Sequence, residues 1–200
     1  MEGLMDIHGV KVYGDITPIV TEVFNQLKSK LEKKYWKGLK SIYINENVYD
    51  KDEDAKKEKL LGTYYRLEDT SLEEKVSGEI ILNADTLHEK TVRINKGEIP
   101  LICINSGFSS DPYYLAFVLL HELGHHNNFE QEQYLDYKEN EINAHLFAMK
   151  HIRLCNFIQN DFDIFCDVDY YIDAYKIHNT LEIERLENEL KLIQEENLTK

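Results

Sequence analysis

Asp111-Pro112-Tyr113-Tyr114-Leu115-Ala116-Phe117-Val118-Leu119-Leu120-His121-Glu122-Leu123-Gly124-His125 is the stretch from which the rest of the chain is best read. Asp111 is a helix-capping residue, and Pro112 brings the φ that suits a first helical position. From Tyr113 to Leu123 the residues are apolar nearly all round, which predicts a helix buried on most sides with the histidines near its C-terminal end. Four residues of helix advance about 6 Å and overshoot one turn by about 40°, so His121 and His125 project from one face. There they can hold a single Zn²⁺ at about 2.0 to 2.1 Å. Glu122 lies beside that face, placed to take a proton from a water on the metal and later to hand it to a leaving amine. Two bare imidazoles and a carboxylate in so apolar a segment would be expensive to bury without such a purpose.

A catalytic zinc needs a third protein ligand and one open position. The continuation H-E-x-x-H-x-x-G-x-x-H does not supply it, because Asn128 stands where that pattern has Gly and Gln131 where it has the last His. The third ligand therefore comes from further along the chain. In the next helix, expected from about Tyr137 to Phe157, the residues Glu141, Ala144, His145 and Ala148 share one face. Two alanines let that helix come close to the first, and Glu141, near its start, can reach the metal.

With these residues in place the chain resembles the ImmA/IrrE-type metallopeptidases, gluzincin-like enzymes. The resemblance rests on His121-Glu122-Leu123-Gly124-His125, on Glu141, Ala144, Phe147 and Ala148 in the following helix, and on the preceding Leu101-Ile102-Cys103-Ile104-Asn105 strand. In element order it extends from Thr17 to Phe157, and in motifs from Leu101 to Ala148. It implies that His121, His125 and Glu141 bind zinc and that Glu122 is the catalytic acid and base. It also implies a bacterial, phage or mobile-element origin and a helix-turn-helix repressor as substrate. His145 stands where gluzincins commonly have Asp or Asn, and we expect it behind the ligands, accepting a hydrogen bond from a ligand imidazole.

The 200 residues are enough for one domain with an appendage, and 42% hydrophobic residues can fill a core. Against 23 Lys and Arg there are 37 Asp and Glu, a net charge of −14 that repels phosphate backbones and argues against direct nucleic-acid binding. The longest apolar run, Tyr113 to Leu120, is far below the roughly 20 residues of a membrane span. No basic and then apolar leader is visible at the N-terminus, so a cytoplasmic protein is expected. Cys103, Cys155 and Cys166 are odd in number and include no C-x-x-C pair, which suits reduced, buried thiols. No G-x-S-x-G, P-loop or dinucleotide-binding glycine pattern competes with the histidine motif.

Around the motif, Thr17 to Trp36 shows the three-and-four spacing of an amphipathic helix, with Thr17 as cap and Pro18 at its first position. Ser41 to Asn45, Thr63 to Leu67, Glu79 to Leu82, Thr91 to Ile94 and Leu101 to Ile104 read as short strands of a small, mainly antiparallel sheet. Asp50 to Lys59 is a mixed-charge run that reads as a solvated loop. Helical signals resume near Asp167. The spacing of Ile183, Leu186, Leu190 and Ile193 fits a terminal helix lying on its own domain or pairing with a second chain. His126 is read as a surface residue or one standing behind the ligands. Tyr113, Tyr114, Tyr134 and Tyr137 are candidates for an oxyanion donor among which the sequence does not choose.

The expectation is thus an α+β, zincin-like domain over residues 1–157 with a helical C-terminal extension over 158–200. Its expected activity is zinc-dependent cleavage of a peptide bond in a protein substrate, a DNA-binding repressor in particular. The rival is an acidic binding protein, an anti-repressor or DNA mimic, in which a metal only braces the fold; such a brace has no use for Glu122.

Overall fold

The computed structural model describes residues 5–45, 62–65, 79–82, 92–95, 100–108, 110–132, 136–156 and 166–198. Leucine, isoleucine and valine from a sheet and from helices laid on it meet in one core. The chain opens with β1 (Met5–Ile7) and β2 (Val10–Gly14), joined by a turn in which His8 and Gly9 both have positive φ, the geometry that suits a tight hairpin. α1 (Pro18–Lys30) follows, and the Thr17 side chain accepts a hydrogen bond from the amide of Val20 as a cap should. β3 (Ser41–Asn45), β4 (Gly62–Tyr65), β5 (Glu79–Leu82), β6 (Val92–Asn95) and β7 (Leu101–Asn105) come next. Four of the five α-helices among the described residues then follow α1: α2 (Pro112–Glu132), α3 (Tyr137–Ile152), α4 (Val168–Tyr175) and α5 (Thr180–Leu198). None is long and apolar enough to cross a membrane.

The sheet corrects the expectation of a mainly antiparallel one. Its order is β1-β2-β3-β7-β4, with β2, β3 and β7 mutually parallel and only the outer strands β1 and β4 antiparallel to their neighbours. β5 and β6 form a separate antiparallel pair. The reason is the hairpin at the N-terminus, which the sequence reading passed over. With β2 in place, β2, α1 and β3 are a strand, helix and strand crossover, and such a unit lays its two strands parallel. Leu101 to Asn105 is correspondingly buried at every position, as a central strand covered on both faces should be.

Three helix boundaries also differ, among them that of α3, which ends at Ile152 rather than near Phe157. The periodic stretch from Thr17 to Trp36 breaks at Leu31, whose backbone is extended, and Lys33–Trp36 is a separate 3₁₀ turn that buries Trp36. α2 runs on to Glu132, so the histidines sit in mid-helix. The mixed-charge run Asp50 to Lys59 lies outside the described residues. Cys103, Cys155 and Cys166 are all buried, and none of them is in a disulfide.

α2 and α3 run antiparallel, since Phe117 of α2 meets His145 of α3 while His125, further along α2, meets Glu141, earlier on α3. α5 runs beside α3 in the same direction, with Arg185 bonded to Glu139 near one end and Glu196 paired with Arg153 at the other. Leu186, Leu190 and Ile193 of α5 are buried in this chain's own core.

The backbones of α2 and α3 come into close contact at Gly124. A methyl group there would stand 2.7 Å from Cα and 2.9 Å from the carbonyl oxygen of Ala144, both backbone atoms that cannot swing aside. In an open helix Gly→Ala is stabilising by about 1 kcal/mol. Here Gly124→Ala is expected to destabilise the fold by about 1 to 3 kcal/mol, because the two helices must part. Urea unfolding measures it, and a more stable variant would mean that the helices are not held this closely.

Candidate metal centre

α2 and α3 bring together His121, His125 and Glu141, whose ligand atoms all lie within 4.8 Å of one another. The Nε2 atoms of His121 and His125 are 3.2 Å apart. Glu141 places one carboxylate oxygen 3.3 Å from Nε2 of His121 and the other 3.5 Å from Nε2 of His125. Bonds of about 2.0 to 2.1 Å directed at the corners of a tetrahedron give edges of about 3.3 to 3.4 Å. Each imidazole nitrogen thus lies about one such edge from its nearer carboxylate oxygen and from the other nitrogen, and two imidazoles with one carboxylate are donors that a zinc ion takes. Their side chains are 18%, 15% and 22% exposed, so solvent reaches the site from one side. Burial raises the pKa of Glu141, but the hydrogen bond and charge of His121, with His125 behind them, outweigh it and hold the carboxyl below its ordinary range.

Glu122 is not among the converging ligands. It is 5% exposed and stands against the edge of the sheet, where its Oε1 would be 2.9 Å from a methyl group placed on Gly62. The same imagined methyl would come within 2.6 Å of Val118 Cγ1. Only a residue without a side chain lets β4 lie this close to the motif helix.

His126 ties the same strand down. Its Nε2 lies 3.0 Å from the carbonyl oxygen of Lys37 and its Nδ1 3.0 Å from the hydroxyl of Tyr64. A carbonyl can only accept, so Nε2 carries the proton and Nδ1 accepts from Tyr64. Burial lowers the pKa of this imidazole, with the Lys37 carbonyl opposing, which favours the neutral ring that the bridge requires. Gly62 and Tyr64 were missed in the sequence. Neither belongs to a motif, and only the register of β4 against β7 puts both on the face toward α2.

His145 lies one helical turn beyond Glu141 and does not join the ligand set. Its ring packs edge-on against Phe117 at 4.9 Å and Tyr171 at 5.3 Å between centroids, with His121 at 6.2 Å and Tyr170 at 5.7 Å. Burial, with the charge of His121, pushes its pKa down to about 3 despite Glu141. Of the tyrosines considered for an oxyanion role, Tyr113 is buried beside Phe117, Tyr114 and Tyr137 are exposed, and Tyr134 lies outside the described residues.

No protein-family model matches the chain, and neither the curated proteins nor the solved structures give a match.

The packing of His145 against His121 generates an expectation. His145→Ala should weaken zinc binding by about 10- to 100-fold, because the ligand imidazole loses the hydrogen-bonding group expected behind it, which a carboxylate would replace. His145→Asp should keep or improve the affinity. Chelator competition on the purified protein measures both, and an alanine variant as tight as the parent would show that His145 only fills space.

Proposed function

We propose that this chain is a zinc-dependent endopeptidase that hydrolyses a peptide bond in a protein substrate. The observation that carries the reading is Glu122, a carboxylate buried next to two converging histidines yet outside the ligand set. A metal that merely braced two helices would not require a carboxylate there, whereas hydrolysis requires a base beside the metal.

His121, His125 and Glu141 would occupy three positions of a tetrahedral ion and leave the fourth to water or substrate. When bound, Zn²⁺ supplies a Lewis acid that polarises the scissile carbonyl and acidifies water toward a pKa of about 7. Glu122 accepts the proton of the attacking water and returns it to the departing amine nitrogen, so one side chain serves both halves of the reaction. β4 ends the sheet among the described residues, and Gly62 and Tyr64 hold it beside Glu122 and His126. An extended peptide added to a sheet edge is a common mode of recognition, so the arrangement suits an unfolded or looped segment of the substrate.

The substrate we propose is a basic, DNA-binding repressor of the helix-turn-helix kind. The resemblance to ImmA/IrrE-type enzymes points to it, and the net charge of −14 would attract a basic partner.

Glu122→Gln keeps the shape of the side chain and removes the base. The variant is expected to retain fold and zinc while its peptidase activity falls by at least about 10²-fold. Cleavage of candidate repressors by parent and variant measures this. Undiminished biological activity in the Gln variant would favour the acidic binding protein instead.

A further inference from the structure

Glu141 lies in the second turn of α3, and the start of that helix has little apolar burial to hold it. Tyr137 is 76% exposed, Lys138 is exposed, and the first buried residue of α3 is Ile142. Asp136 caps the helix through the amide of Glu139, but a cap by itself does not fix where the turn sits. Helix ends fray unless something outside the helix secures them.

That tie comes from α5. The guanidinium of Arg185 bonds Glu139 Oε1 through Nη1 at 3.2 Å and Asn143 Oδ1 through Nη2 at 3.1 Å, while its Nε is held by Glu189 at 3.0 Å. Glu139 and Asn143 are two residues either side of Glu141, which places each about 160° away from it around the helix. Arg185 thus grips the back of the turns whose front presents Glu141. A single exposed ion pair contributes little, but here three acceptors fix one planar fork.

We propose that Arg185 is a positioning residue for the metal centre: by holding Glu139 and Asn143 it keeps Glu141 at ligand distance from His121 and His125. The inference rests on the reading of those three residues as metal ligands. It gives the C-terminal extension a role in the site, since α5 contributes no ligand.

The test is zinc affinity of the full-length protein, stripped of metal and titrated against a competing chelator. Arg185→Ala is expected to bind zinc about 3- to 10-fold more weakly, less than the about 10- to 100-fold lost when a group packed on a ligand is removed. Arg185→Lys keeps the charge without the fork and should fall between variant and parent. Glu196→Ala cuts another tie of α5 to α3, at Arg153 and far from Glu141, and should stay within about twofold of the parent. Equal affinity in parent and Arg185→Ala would overturn the proposal. An equal loss in Glu196→Ala would also overturn it, by showing that any loosening of α5 has the same effect. A parent chain that binds no stoichiometric zinc would instead remove the metal reading and this inference with it.

Discussion

The backbone contact between Gly124 and Ala144 is the constraint on which the site depends. The Glu141 carboxylate must reach both His121 and His125, whose rings are rigid, and their contacts of 3.3 and 3.5 Å are helped by the close approach of the two helices. A residue without a side chain on α2 and one with only a methyl on α3 permit that approach, and Ala148 continues the small-residue face. The motif is read for its histidines and its glutamate, yet one of its two intervening residues carries the geometry.

Burial is graded across the site in a way that fits its chemistry. The three converging ligands keep part of their surface in solvent, whereas Glu122 and His145 are nearly closed off on either side of them. A base works best where its surroundings are fixed before substrate arrives. Glu122 has such surroundings in Val118 on its own helix and Gly62 on the sheet. His126, next to a ligand, spends both ring nitrogens on joining α2 to Tyr64 and Lys37. One helix therefore carries two of the proposed ligands, the proposed base and the bond that anchors the strand beside them.

Much of this was legible in the sequence because it is local. Thr17, Pro18, Asp111 and Pro112 mark helix starts through their own backbone and side-chain chemistry, and the spacing of His121, Glu122 and His125 is a property of one helix. Glu141 was reachable by asking which acid on the next helix shares a face with small residues. The parallel sheet was not legible once Met5 to Gly14 was passed over, although Ile7, Val10 and Val12 around a His-Gly turn carry a hairpin signal. Gly62, Tyr64 and Arg185 lie beyond any such reading. Each acts across a distance of about 40 residues or more, and only register or helix packing decides what it touches.

The account stands on one ion shared by His121, His125 and Glu141. X-ray absorption at the zinc edge, on protein purified without added metal, tests that most directly. The account predicts one zinc per chain with two imidazole nitrogens and carboxylate oxygen in its shell, at about 2.0 to 2.2 Å. Protein free of zinc, or a shell with a third imidazole in place of the carboxylate, would contradict it, the latter by putting His145 on the metal and turning Glu141 away.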